Sequence, residues 1–151
     1  LILSASEDVG LADPRALPLA VSCQQAVEFV GMPEGFIPMA ETTVYLALAP
    51  KSNSTYAAYI NAAKEIKLNN PKPVPIHLRN ATTALQKEWG YGKDYKYPHN
   101  YPDGWVEQNY MPDGLVGQKF YVPKEQGEEP RLASYWKRIT RTRKPPNPDE
   151  R

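Results

Sequence analysis

Pro38 and Pro50 frame the stretch that most restricts what this chain can fold into. Proline is tolerated in the first turn of a helix, where its missing N–H has no partner, and it biases the preceding residue away from the helical conformation. A helix can therefore begin a few residues before Pro38 and must end at Ala49. Inside it runs Val44 to Ala49, apolar on every face, the pattern of a helix enclosed in a core. Ser52 or Asn53 can cap a following helix, in which Tyr56, Tyr59, Ile60 and Ala63 recur at i, i+3, i+4 and i+7. Residues 35–63 are expected to form a helical hairpin. Thr42, Thr43 and Val44 are also compatible with the start of a buried strand.

The flanking sequence carries the helical period further. Residues 1–8 read as the end of a helix closed by Asp8-Val9-Gly10. Asp13 caps a new helix with Pro14 at its first position. Ala16, Leu19, Ala20, Cys23, Ala26, Val27 and Val30 form its stripe and Gly31 its terminator. Pro18 delays the regular part of that helix to about Leu17. After the extended Pro71-Lys72-Pro73-Val74-Pro75, the spacing of Leu78, Ala81, Leu85 and Trp89 predicts another helix, closed by Gly90. A last helix is expected from Pro130 to about Arg143, with Leu132, Tyr135, Trp136 and Ile139 on one side and a frayed tail beyond.

Between Tyr91 and Pro123 the helical period is lost. This segment holds eight of the sixteen aromatic residues, among them Tyr95, Tyr97, Tyr101, Trp105 and Tyr110. Pro-Asp-Gly turns at 102–104 and 112–114 divide it, and Trp105 to Tyr110 and Lys119 to Val122 have the composition of short strands. Three fates are open to such residues: internal packing, a protein interface, or stacking on nucleobases. Asp94, Asp103, Glu107 and Asp113 offset the interleaved lysines and weaken the third.

Charge separates the chain into two parts. Arg131 to Arg151 holds seven Lys/Arg against Asp149 and Glu150, whereas the first 130 residues hold eleven Lys/Arg against fifteen Asp/Glu. The basic C-terminal helix, with Lys137, Arg138, Arg141 and Arg143, has the charge for DNA contact, or is an amphipathic helix with a solvated basic face. With 41% hydrophobic and 23% charged residues, the chain has the balance of a soluble globular protein. No apolar run reaches the ~20 residues of a membrane span, and LILSASED has no signal-peptide features. The opening without Met reads as a cut from a longer chain. Cys23 alone makes an internal disulfide impossible, fits a reducing compartment, and is expected as a buried small hydrophobe. The Asn-x-Thr sequons at Asn53 and Asn80 are then coincidental.

Candidates for chemistry are few. No phosphate-binding glycine loop is present, and His77 and His99 are too few for a metal cluster. His99 lacks a neighbouring nucleophile in a recognisable motif and reads as structural, which makes a stand-alone hydrolase a poor reading. Glu7, Asp8 and Asp13 are better explained as a solvated helix end and a cap than as a catalytic or metal-binding group. No catalytic, cofactor-binding or metal-binding residue is assigned.

Three motifs in order, ASEDVGLADP over 5–14, MPEG with YLALAPKSN over 32–35 and 45–53, and YKYPH with GWVEQ over 95–99 and 104–108, resemble the C-terminal region of the replication-associated recombination protein A family. These are bacterial relatives of Werner helicase-interacting ATPase, and the resemblance covers most of residues 1–123. It implies a fragment of a AAA+ ATPase, with ATP and Mg held by an upstream domain and no cofactor in this part. It implies an all-α bundle of five to six helices like the clamp-loader oligomerisation domain. That domain would span 1–123, including the aromatic loop 91–123, with a basic helix and tail over 124–151. Partners implied are further copies in a homotetramer and, through the full-length protein, single-stranded-DNA-binding protein and DNA, in the cytoplasm, at stalled forks. The aromatic residues Tyr95, Tyr97, Tyr101, Trp105 and Tyr110 are the candidate interface. A nucleic-acid-binding module using the basic helix is the alternative.

Overall fold

The computed structural model describes residues 1–140; Arg141, Arg143 and the expected tail lie outside them. Among the described residues the secondary structure is entirely helical, with six α-helices and no strand: α1 (Ile2–Ser4), α2 (Ala16–Val30), α3 (Phe36–Leu48), α4 (Ser54–Asn69), α5 (Ala84–Glu88) and α6 (Glu129–Thr140). The all-α expectation holds, and the strand reading of Thr42 to Val44 falls. The chain divides into two units. Among the described residues, one comprises Leu1–Lys64 and Phe120–Ser134; the other comprises Glu65–Lys119 with residues 135–140.

In the first unit, α1 continues into a π-helical turn, Ala5–Val9, and a 3-10 turn, Gly10–Ala12. The core is built of small side chains: Ala5, Val9, Ala16 and Ala20 pack with Leu46, and Tyr45 and Ala49 lie against them. α2 starts at Ala16, one residue from the expected Leu17 and after a turn at 14–15, so Pro14 is not its first residue and Pro18 falls at its third position, where no intrahelical N–H bond is lost. Pro38 is placed the same way in α3, and Ala49, before Pro50, turns extended at φ −60°, ψ 146° and ends it.

The large apolar residues are the main departure from expectation. Val44 and Leu48 are exposed, while Thr42 and Leu46 take the buried side of α3. The Val44 to Ala49 run is thus contacted on one side only, because α2 and the N-terminal turns cover just that side. Of the expected α4 face, Tyr56, Tyr59 and Ile60 are exposed while Ala63 is half-buried. Ser54 is buried, and Thr55, Ala58, Ala62 and Glu65 are half-buried. Small side chains let helices approach closely and leave the larger ones outside.

The second unit has little regular structure. The predicted helix from Leu78 to Trp89 is shorter than its apolar spacing implied. Ile76–Leu78 is a 3-10 turn and only Ala84–Glu88 is α-helical. Thr83 explains the start: its side chain accepts from the backbone N–H of Gln86, and the Gln86 side chain accepts from the Thr83 backbone N–H, a reciprocal cap. Trp105 to Tyr110 and Lys119 to Val122 are irregular rather than strands. Among the described residues no helix is long and apolar enough to cross a membrane.

Candidate assembly interface

Two buried carboxylates fix the loops of the first unit. Asp13 is not the side-chain cap of α2. It accepts from the backbone N–H of Arg15 at 3.1 Å, from the Arg15 guanidinium at 2.8 and 3.0 Å, and from the Tyr45 hydroxyl at 2.5 Å. The Arg15 guanidinium holds its pKa down at about 2, with Tyr45 adding to the effect against the opposing pull of burial. The same bond pushes the Tyr45 phenol up. Glu129, the first residue of α6, is fully buried. It accepts from Ser52 Oγ at 3.1 Å, from Ser54 Oγ, and from the Lys124 backbone N–H. Partial burial and then the nearby Glu129 charge push the Tyr121 phenol up.

The Ala49–Ser54 loop is clamped between these groups. Lys51 donates to the carbonyls of Leu46 at 2.8 Å and Ala47 at 3.2 Å and to that of Ala49, satisfying the open end of α3. Ser52 N–H donates to the Asp8 carbonyl at 2.7 Å. Two glycines permit the closeness. A Cβ on Gly10 would lie 2.7 Å from the Ser52 carbonyl oxygen, and one on Gly127 would lie 2.0 Å from that of Ala12. Sequence reasoning missed the Glu129 group altogether, because its partners are 75 and 77 positions away and only the first-turn acid is a local signal.

The aromatic segment of the second unit is held by polar bonds rather than by a core. Gln108 acts as a surrogate strand: its amide accepts from Lys96 N–H at 3.1 Å and donates to Lys96 O at 2.9 Å and to Tyr110 OH at 2.9 Å. His77 Nε2 lies 2.7 Å from the Asn109 carbonyl oxygen. Arg79 donates to the Val74 carbonyl at 2.7 Å and covers the Tyr91 ring at 5.3 Å. His99 lies against Tyr97 with ring centroids 5.0 Å apart. Val106 is the buried anchor, and Trp105 is half-buried. Tyr95, Tyr97, Tyr101 and Tyr110 are 43%, 52%, 39% and 48% exposed. Gln108 thus ties Tyr110 to the backbone between Tyr95 and Tyr97, and all five candidate residues belong to the same unit.

On α6, Lys137 and Arg138 are exposed, and the Arg138 guanidinium lies 5.0 Å from the Tyr135 ring centroid beside exposed Trp136. Cys23 is buried and unpaired. Glu7 and Asp8 are exposed, and among the described residues no three His, Cys, Asp or Glu side chains converge as a metal site. Among the described residues, the buried carboxylates of Asp13 and Glu129 are occupied by Arg15, Tyr45, Ser52 and Ser54.

The family model described as MgsA AAA+ ATPase C terminal matches residues 1–140, and the chain belongs to that family. The chain is 45% identical over 128 residues to replication-associated recombination protein A of Bacillus subtilis, a match covering 85% of this chain and 30% of that protein. It is 48% identical over 125 residues to ATPase WRNIP1 of Dictyostelium discoideum, covering 82% of this chain and 14% of the relative. It is 40% identical over 129 residues to replication-associated recombination protein A of Escherichia coli K12, covering 85% and 29%. The chain thus spans less than a third of the length of these relatives.

Proposed function

We propose that this chain is the assembly domain of a AAA+ ATPase that works in replication-associated recombination, joining copies of the protein into a homotetramer. The observation that carries the reading is the reversal of side-chain size: alanine, serine and threonine face inward while large apolar and aromatic residues face outward. Exposed apolar surface of this extent marks an interaction site. Tyr95, Tyr97, Tyr101, Trp105 and Tyr110 form one contact region, with tyrosines as rigid amphipathic anchors. Nucleotide and magnesium, and encounters with DNA and single-stranded-DNA-binding protein at stalled forks, belong in this reading to the rest of a longer protein acting in the cytoplasm. Sedimentation equilibrium over a wide concentration range tests assembly. The expected species is a tetramer of ~68 kDa, four copies of 17.0 kDa. A chain that remains monomeric at the highest concentration rejects the reading.

A second reading is favoured by the side chains of α6, where Tyr135, Trp136, Lys137 and Arg138 combine stacking faces with cations. It predicts single-stranded DNA binding that weakens with salt and with Arg138→Ala. Fluorescence anisotropy at two salt concentrations checks it; affinity indifferent to both changes excludes it.

A further inference from the structure

One tripeptide occurs twice in the second unit, as Pro102-Asp103-Gly104 and as Pro112-Asp113-Gly114. In an Asp-Gly pair the glycine amide nitrogen has open access to the aspartate side chain, because no Cβ shields it. The local sequence gives both pairs the same intrinsic tendency, and both are exposed. Their surroundings separate them. Gly104 closes a turn, and its N–H donates to the Tyr101 carbonyl at 3.1 Å. Gly114 stands in the middle of a turn closed one residue later, where Leu115 N–H donates to the Pro112 carbonyl at 3.0 Å. Among the described residues the Gly114 N–H has no acceptor. A cation stands beside it as well. Lys72 is half-buried, and its Nζ lies 3.1 Å from the position a Cβ on Gly114 would take.

We infer that Asp113 is a self-modification site of this chain, isomerising to isoaspartate with help from Lys72, while Asp103 is held back. The Gly114 nitrogen gives up its proton and bonds to Cγ of Asp113. The carboxyl hydroxyl takes up a proton and leaves as water, which closes a five-membered succinimide. Water then adds to the ring. Opening at the side-chain carbonyl restores aspartate, and opening at the main-chain carbonyl gives isoaspartate, so the water lost is regained and the mass is unchanged. Negative charge develops on the nitrogen as its proton departs, and the Lys72 ammonium favours that charge. At Gly104 the same proton is engaged by Tyr101, and attack costs that bond. The product has one more methylene in its main chain and a free α-carboxylate, three residues from Tyr110. The inference does not rest on the assembly reading.

The test is prolonged incubation of the purified chain at neutral pH, then digestion and peptide mapping with electron-transfer fragmentation, which tells isoaspartyl from aspartyl at equal mass. Asp113 should isomerise roughly threefold to tenfold faster than Asp103, the worth of one backbone hydrogen bond. In urea the two rates should converge. Equal rates in the folded chain, or a ratio that persists in urea, overturn the inference. Lys72→Ala should slow Asp113 and leave Asp103 unchanged, and Lys72→Arg should restore the rate, with circular dichroism as the check on folding. An Asp113 rate indifferent to Lys72→Ala overturns the part given to the cation. The comparison in urea needs no variant and stands whether or not the variants fold.

Discussion

Tyr45 connects α3 to the start of α2 through one bond, and its effect is measurable. Tyr45→Phe keeps the ring and removes the donor to Asp13, and a lower urea midpoint is expected because a hydrogen bond to a charged acceptor is lost. The pH dependence has a definite sign. Asp13 titrates near 2 in the folded chain against an ordinary 3.8, so its stabilisation is complete above about pH 4, declines as the unfolded chain takes up its proton, and is gone below about pH 2. Because Arg15 is largely exposed, solvent screens part of this. Urea titrations at pH 7 and pH 3 should show a smaller drop for Asp13→Asn than for the unaltered chain; equal drops would remove Asp13 from the acid response. Gly127→Ala places a Cβ against the Ala12 carbonyl at a φ of +53°. A loss of more than about 2 kcal/mol or failure to fold is expected, and a melting temperature within two degrees or so of the unaltered chain would contradict the close approach.

At the scale of elements, the helix boundaries that depend on local chemistry were legible and the burial of their faces was not. Pro50 ended α3 and Gly31 ended α2 as their backbone restrictions dictate. Gly90, at φ +82°, closes the turn after α5. Hydrophobic spacing failed in α4 and before α5 because it treats a large apolar residue as inward by definition. Here Tyr59 and Ile60 point out and Ala58 and Ala62 point in. The aromatic segment was recognisable as irregular, yet nothing local announced that Gln108 would bond both backbone groups of Lys96. The Thr83-x-x-Gln86 spacing carries the reciprocal cap in the local sequence. It predicts that Thr83→Ala removes about 1 kcal/mol from a helix of five residues. Amide exchange at Gln86 and Lys87 should quicken while exchange in α2 stays unchanged, and equal acceleration in both would show that α5 does not open by itself.

For the whole molecule, the motifs spanning residues 5–108 were enough to anticipate the family that matches residues 1–140, whereas the direction of the aromatic and α3 side chains required coordinates. The proposed assembly would make stability concentration-dependent, because a partner that binds only folded chain shifts the folding equilibrium by mass action. Melting temperature should rise with protein concentration for the unaltered chain and flatten for Tyr101→Ala/Tyr110→Ala; a flat unaltered curve would count against assembly. A core of Ala5, Ala16 and Ala20 around Leu46 has one more consequence, a calorimetric one. Small side chains bury little apolar area within a copy, so the heat-capacity increment and the denaturant slope of an isolated copy fall below those usual for its length. In the proposed assembly both quantities would grow as copies associate, and the thermodynamic signature of a hydrophobic core would be a property of the complex.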